Sequence, residues 1–292
     1  MRRHFCIIRN PRAGWHARHL LQPTLKELRA AGASFEIVRT TYRGQGTRLA
    51  SDAARSAAYD AIVAAGGDGT IHDVAAGLAG GSMPLGIIPM GTGNVFAREL
   101  GYSLKASALA RALMHGPVDH IPLGEANDEP FLFVVGVGFD AEAVRHFEAN
   151  DMRHWGAGSF ALPVLRALSL TSGGPLRVMT QGGCSEAHWV IVTRAKHYAA
   201  NLLLAPDADL RSPLFHVVRI GGAGRLIRMR QLAALLTGHL SHDPAVTMEA
   251  TRHVRIEGDS ATPVQIDGEF KGSLPMEIGL HAAPLHLILP AS

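Results

Sequence analysis

Up to about residue 120 the chain alternates short apolar runs with amphipathic stretches. "HFCIIRN", "SFEIVRT", "DAIVAAGG" and "PLGIIPMG" read as strands. Between and after them, "HLLQPTLKELRAAG", closed by Gly32, "GTRLASDAARSAAY", "TIHDVAAGLAG", "NVFAREL" and "ASALARALMHG" read as helices. In the third of these, Ile71, Val74 and Leu78 share one helical face. Apolar strands alternating with amphipathic helices predict an α/β domain with a parallel sheet.

Beyond residue 120 the period shortens. "HIPLGEANDEPFLFVVGVGFD", "LRVMTQGG", "AHWVIVTRA", "LFHVVRIGG", "HVRIEGD" and "PVQIDGEFKG" are strand-like runs separated by Gly, Pro, Asp and Asn. Such a run of short strands predicts a β-rich, largely antiparallel domain. Two helical stretches interrupt it, "SFALPVLRALSL" and "RLIRMRQLAALLTGHL", and the closing "LHLILPAS" reads as a strand free to return to the first domain. The expected division is residues 1–122 with 281–292, and residues 123–280.

Composition narrows the picture. Apolar residues are 47% and charged residues 18% of 292, which excludes a disordered or fibrous chain, and a net charge of +3 gives no case for nucleic acid. Of 28 basic residues only Lys26, Lys105, Lys196 and Lys271 are lysines; arginine's planar fork suits phosphate and anionic surfaces. Cys6 and Cys184 stand far apart in apolar contexts and read as reduced core residues of a cytoplasmic protein. The N-terminus lacks a signal-peptide pattern. The longest apolar runs fall short of the ~18 residues of a membrane span.

Two stretches share one construction: "AAGGDGTIHDV" and "IIPMGTGNVFAREL" each run from buried strand through glycine loop to helix. Helix N-termini beyond the carboxyl ends of parallel strands bind anions. Glycine admits phosphate oxygens close to the backbone, and Thr70 and Thr92 add hydroxyls. Two such loops point to a polyphosphate such as ATP. Asp68, a carboxylate within the first loop, then implies Mg²⁺ between acid and phosphates, or a proton acceptor; capping of the following helix is the plainer role, and both can hold.

"GGDGT" followed by "GTGN", with "RNPRAG" before and "VQIDGEF" after, resembles the diacylglycerol kinase catalytic domain superfamily, which includes bacterial soluble lipid kinases and the sphingosine and ceramide kinases. "GVGFDAEAV" resembles the opening of that family's β domain, and the resemblance spans nearly the whole chain. It implies a phosphofructokinase- and NAD kinase-like α/β domain rejoined by the C-terminal tail, a β-rich acceptor domain, and a site in the cleft between them. It also implies ATP, Mg²⁺ and a lipid substrate met at a membrane surface. Matched motif by motif, the nucleotide contacts are Asn10, Thr41, Gly66, Gly67, Asp68, Gly69, Thr70, Ile71, His72, Gly91, Thr92, Gly93 and Asn94, with Asp68 reaching Mg²⁺ through phosphate or water. Glu269 is the implied general base, a role the sphingosine kinases give to the acid corresponding to Asp68, so the division between the two stays open. A plain β-turn is the alternative for Asp267-Gly268-Glu269.

Departures from the family pattern are specific. Relatives often carry A-x-x-x-DG-x-x-D, whose acids and carbonyls hold a second Mg²⁺; here "ADLRSPLFHVV" sets Ser212 and Pro213 at the Asp-Gly position and His216 at an acid, so this metal is expected to be lost or weakened. Val95 stands where many relatives have Asp, and "RAKHYAANLLLAPDA" replaces the usual acceptor-side loop, leaving the lipid open. Sixteen histidines form no zinc-ligand spacing. In "GRLIRMRQLAALLTGHL", Arg225, Arg228 and Arg230 among Leu226, Ile227, Met229, Leu232, Leu235 and Leu236 fit a membrane-surface helix or a helix packed on the β domain. The leading expectation is an ATP-dependent lipid kinase in the cytoplasm, with peripheral attachment to the inner membrane face and a homodimer allowed. The alternatives are a NAD kinase-like phosphotransferase and a catalytically silent nucleotide- or lipid-binding regulator.

Overall fold

Strands β1 (His4–Arg9), β2 (Ser34–Arg39), β3 (Ala61–Gly66) and β4 (Leu85–Pro89) pair in parallel in the order β2-β1-β3-β4. Every residue of β3 and β4 is buried, as central strands covered on both faces must be, whereas β2 at the edge is mostly exposed. The computed structural model describes residues 1–12, 16–149, 174–198 and 202–290. It divides into two units, Met1–Leu123 with His281–Ser292, and Gly124–Leu280.

In the first unit helices α1 (His16–Ala30), α2 (Gln45–Arg55), α3 (Asp68–Leu78), α4 (Val95–Glu99) and α5 (Ala106–His115) connect the strands. Helices α2 and α3 meet through small residues: a Cβ on Gly77 would lie 2.2 Å from the Thr47 carbonyl oxygen. Ile71, Val74 and Leu78 all face the core. The sheet ends with the C-terminal strand Leu285–Ile288, parallel to β4, and then β5 (Val118–Ile121), antiparallel to it. The buried Tyr102 hydroxyl donates to the Ile288 carbonyl and ties that returning strand down.

The second unit is a sandwich of two antiparallel sheets. Its elements are β6 (Gly124–Ala126), β7 (Glu129–Phe131), β8 (Val134–Val137), α6 (Phe139–Ala149), β9 (Leu176–Thr180), β10 (Gly183–Ala187), β11 (Trp189–Thr193), β12 (His197–Tyr198), β13 (Leu202–Leu203), β14 (Phe215–Ile220), α7 (Arg225–Leu236), β15 (Val246–Thr251), β16 (Val254–Glu257), β17 (Pro263–Ile266), β18 (Glu269–Ser273) and β19 (Met276–Leu280); Leu285–Ile288 is β20. The sheets run β10-β9-β16-β19-β6-β7 and β15-β14-β11-β8-β17-β18. Val178, Val254, Ile256 and Ile278 of one sheet and Val135, Val190, Val217 and Val264 of the other form the shared core. Alternation along each strand supplies one apolar face, and two such faces close on each other.

Several elements differ from the sequence expectation. The strand-like run ending in "GVGFD" is expected to include Phe139 and Asp140, yet these open α6, an element the apolar-run reading does not give, with Phe139, Ala143, Val144 and Phe147 buried at helical spacing. Strands β10, β15 and β19 carry weak alternation and escape the apolar-run reading. The helix expected over "SFALPVLRALSL" lies outside the described residues. Cys6 is buried as expected, but Cys184 is exposed, because it lies on β10, the edge strand of its sheet. Among the described residues no helix is long and apolar enough to cross a membrane.

Candidate active site

The order β2-β1-β3-β4 sends four parallel carboxyl ends to one edge of the sheet, where Thr41, Asn10, Asp68 and Thr92 follow in that spatial order. Chain order reverses between β1 and β3, the position at which open α/β sheets form ligand crevices. There the Asn10 amide donates to the Ala65 carbonyl at 3.1 Å, and the Asn10 side chain accepts from the Arg12 amide at 2.9 Å. Beyond β2, the Thr41 hydroxyl and amide both donate to the side-chain oxygen of Gln45, at 3.0 and 2.6 Å.

The two glycine loops touch. A Cβ on Gly91 would lie 2.6 Å from the Gly67 Cα and one on Gly67 3.1 Å from the Gly91 Cα, so the contact leaves little room for a side chain, least at Gly91. Asn94, left-handed at φ 47°, closes the second loop by accepting from the Gly91 amide and donating to its carbonyl, both at 2.8 Å. Asp68 spans the two: one carboxylate oxygen accepts from the Val95 amide and the other from the Phe96 amide, each at 3.1 Å. The expected capping role is therefore real, but the helix capped is α4 of the second loop. It also changes the anion-site expectation there, since the first amides of α4 are already used. In the first loop Thr70 is buried over Gly66, His72 and Ile71 are buried, and Gly67 through Gly69 are half-buried. Gly93 and Thr92 lie on the rim of the second loop, Thr92 exposed.

Two arginines at the same edge were not singled out by motif. Arg9 ends β1 and Arg39 ends β2, and the two are register partners. Neighbouring like charges on adjacent strands are unfavourable without an anion. The buried Nε of Arg9 has no hydrogen-bond partner in the structure. An orphaned guanidinium donor beside a second arginine, at the carboxyl edge of the sheet, fits a phosphate-bearing ligand. The legible signal was an arginine at the last position of each strand.

In the second unit the acids of "IDGE" separate. Asp267 and Gly268, at φ 47° and 81°, form the two-residue turn between β17 and β18, which needs positive φ at both positions. Asp267 is buried and its carboxylate accepts from the Leu132, Phe133 and Val134 amides at 2.7, 3.0 and 3.0 Å. Glu269 begins β18 with its side chain 20% exposed and the Lys271 ammonium 4.0 Å away; Lys271 also pairs with Glu129. The turn is a hairpin, and of its two acids Glu269 is the one that reaches solvent.

Behind the turn lies a buried polar chain. Gln265 accepts from the Gly268 amide at 2.8 Å and donates to Asp140 at 3.1 Å, and Tyr198 donates to the same Asp140 oxygen at 3.0 Å. Burial pushes the Asp140 carboxyl above its ordinary value despite these donors. Gly136 makes room for it: a Cβ there would lie 1.8 Å from that oxygen. Arg194, wholly buried, donates to the carbonyls of Leu132, Leu210 and Ser212 at 3.3, 2.6 and 3.4 Å. Burial lowers its pKa to about 10, opposed by Asp267 and Asp209. A fixed cation thus serves two carbonyls of "ADLRSPLFHVV". Among the described residues no three His, Cys, Asp or Glu side chains gather as a metal site.

The chain matches the family model for the diacylglycerol kinase catalytic domain over residues 4–127, and that for the YegS C-terminal NAD kinase beta sandwich-like domain over residues 133–289. It is 30% identical to a diacylglycerol kinase of Bacillus subtilis (strain 168), covering 97% of this chain and 95% of that one. It is 32% identical to a diacylglycerol kinase of Mycobacterium tuberculosis (strain ATCC 25618 / H37Rv), over 79% and 77%. A solved structure from Bacillus anthracis str. Sterne superimposes with a TM-score of 0.76 at 22% identity, covering 98% and 97% of the two chains, and shares the fold.

Proposed function

The chain belongs to the diacylglycerol kinase family, and from that premise we propose that it transfers the γ-phosphate of ATP to the hydroxyl of diacylglycerol or of a sphingoid or ceramide-like lipid. One observation carries the reading: Asp68 clamps two touching glycine loops at the carboxyl edge of a parallel sheet, where the neighbouring strand β1 ends in Arg9, whose buried Nε has no hydrogen-bond partner. Bound there, ATP with Mg²⁺ supplies the phosphoryl group and neutralises its charge.

The chain's own residues have separable tasks. The first-loop backbone, Gly66 to Thr70, and Thr92 hold phosphate oxygens, with Asn10 and Thr41 on neighbouring loops. Arg9 and Arg39 offset phosphate charge. Asp68 keeps the loops in register and lends its charge to a metal reached through phosphate or water. Both its oxygens are engaged by the Val95 and Phe96 amides, which suits it to bridging the loops. Glu269 is the better base: half-buried near Lys271, on a hairpin held from within by Asp267. A carboxylate taking the proton of a primary alcohol contributes typically 10²–10⁴-fold.

A second reading draws on the likeness of the β domain to the NAD kinase sandwich. One experiment separates the readings: labelled phosphate from ATP and Mg²⁺ is offered to dispersed diacylglycerol, sphingosine, ceramide and NAD in parallel. Label in a lipid supports the proposal. Label in NAD alone moves the activity to a soluble nucleotide, and nucleotide binding without any transfer makes the protein a regulator. The lipid acceptor further implies work at a bilayer surface by a protein that attaches peripherally.

A further inference from the structure

Val135, Val137, Val264 and Ile266 point into the sandwich core, so by alternation Gly136 of β8 and Gln265 of β17, register partners, lie on the opposite face of their sheet. Helix α6 covers that face. An apolar residue at position 265 would suffice for packing there. Instead Gln265, 1% exposed, meets Asp140, 5% exposed, in the first turn of α6. Gly136 provides the space in which they meet: a Cβ on it would lie 1.8 Å from Asp140 Oδ2 and 2.6 Å from Gln265 Nε2. Burying this polar pair costs desolvation on both sides, and seating the helix does not require it.

The link has a direction. Asp140 Oδ2 accepts, so Gln265 turns its Nε2 end toward it, and the Oε1 end is left for the Gly268 amide, which can only donate. Gly268, at φ 81°, immediately precedes Glu269, the first residue of β18. Both donors to Asp140, Gln265 and the Tyr198 hydroxyl, converge on Oδ2, while Oδ1 is buried without a hydrogen-bond partner. A bare buried oxygen costs less on a neutral acid than on a carboxylate, and burial holds this carboxyl above its ordinary value. Asp140 is suited to act as an uncharged acceptor.

We propose that Asp140 is a positioning residue for Glu269: it fixes the side-chain amide of Gln265, which fixes the Gly268 N–H and with it the start of β18, while Tyr198 holds Asp140 in place. This rests on the reading of Glu269 as the base. The chain acts through hydrogen-bond geometry, and neither charge nor proton of Asp140 enters the reaction.

The test combines steady-state kinetics with hydrogen exchange at the Gly268 amide, both in the full chain. Asp140→Ala should lower kcat by roughly 10–10²-fold, the scale set by a small misplacement of a reacting group, hold nucleotide affinity and speed exchange at Gly268. Gln265→Leu should do the same, and the double variant should lose no more than either single one, because both cut one chain. Asp140→Asn keeps an acceptor for both donors and should recover most of the turnover. A loss in Asp140→Asn equal to that in Asp140→Ala overturns the proposal, because charge or proton transfer is then what matters. So does unchanged exchange at Gly268 in Asp140→Ala, or a fall in nucleotide affinity that matches the fall in kcat. Should Asp140→Ala not fold, Tyr198→Phe removes one hydroxyl and carries the same test: a smaller fall in kcat with faster exchange supports the chain, and wild-type values of both overturn it. Glu269→Gln tests the premise separately. Wild-type turnover in that variant removes Glu269 as the base, while faster Gly268 exchange in Asp140→Ala still leaves the hairpin held by Asp140.

Discussion

Asp267 and Arg194 grip the same three-residue segment by complementary groups: Asp267 takes the amides of Leu132, Phe133 and Val134, and Arg194 bonds the Leu132 and Phe133 carbonyls through its guanidinium and its own amide. The segment leads into β8, and Asp267 begins the hairpin that carries Glu269. Arg194→Met should leave buried carbonyls without donors, at about 1–3 kcal/mol for each one left unmet. Urea unfolding reads the loss. If activity survives, kcat should fall more than nucleotide affinity, since the damage lies on the Glu269 side; an unchanged midpoint would make the clamp incidental.

Glu269→Gln keeps the shape of the side chain and removes its proton affinity. Turnover is expected to drop by roughly 10²–10⁴-fold, with nucleotide affinity held. Loss of nucleotide binding at unchanged kcat would make Glu269 a ligand and return the base role to Asp68.

Asp68→Asn retains one acceptor for the two α4 amides and loses the charge. A stability loss of about 1 kcal/mol, the usual scale of a helix cap, should accompany a fall in phosphoryl transfer of roughly 10²-fold or more. Thermal melts and steady-state kinetics measure the two separately. Wild-type turnover in this variant would confine Asp68 to loop packing.

At the loop contact the spacing ranks two substitutions. A Cβ on Gly91 meets the Gly67 Cα at 2.6 Å, whereas one on Gly67 meets the Gly91 Cα at 3.1 Å. Gly91→Ala should therefore weaken nucleotide binding more than Gly67→Ala, each relative to wild type by calorimetric titration. The reverse order would mean that the loops separate when the nucleotide binds.

The raised pKa of Asp140 has a definite sign. Its folded value lies above the ordinary 3.8, so between these values the native state holds the proton more tightly than the unfolded chain. Its contribution to stability falls as pH rises through that window and stays low above it. Unfolding free energies of wild type and Asp140→Asn, taken from acid to neutral pH, should diverge in favour of Asn as pH rises. A pH-independent difference would mean that Asp140 ionises normally in the fold.

The alternation of apolar runs and amphipathic stretches determined the parallel α/β unit and the β-rich unit, because burying one face of each element demands a period that shows in sequence. Glycine loops between strand and helix were equally legible, since close backbone approach and positive φ leave few other residues to choose. Helix α6 was not legible: its opening "GFD" continues an apolar strand, and only the outer face of the β8–β17–β18 sheet makes the helical register pay. Asp68 as a bridge to the Val95 and Phe96 amides, Arg9 beside Arg39, and Arg194 on the carbonyls of Leu132 and Leu210 all depend on partners distant in the chain. A local pattern specifies which faces are apolar. Which amides, carbonyls and charges meet across those faces is decided by strand order and register, and these exist only once the chain has folded.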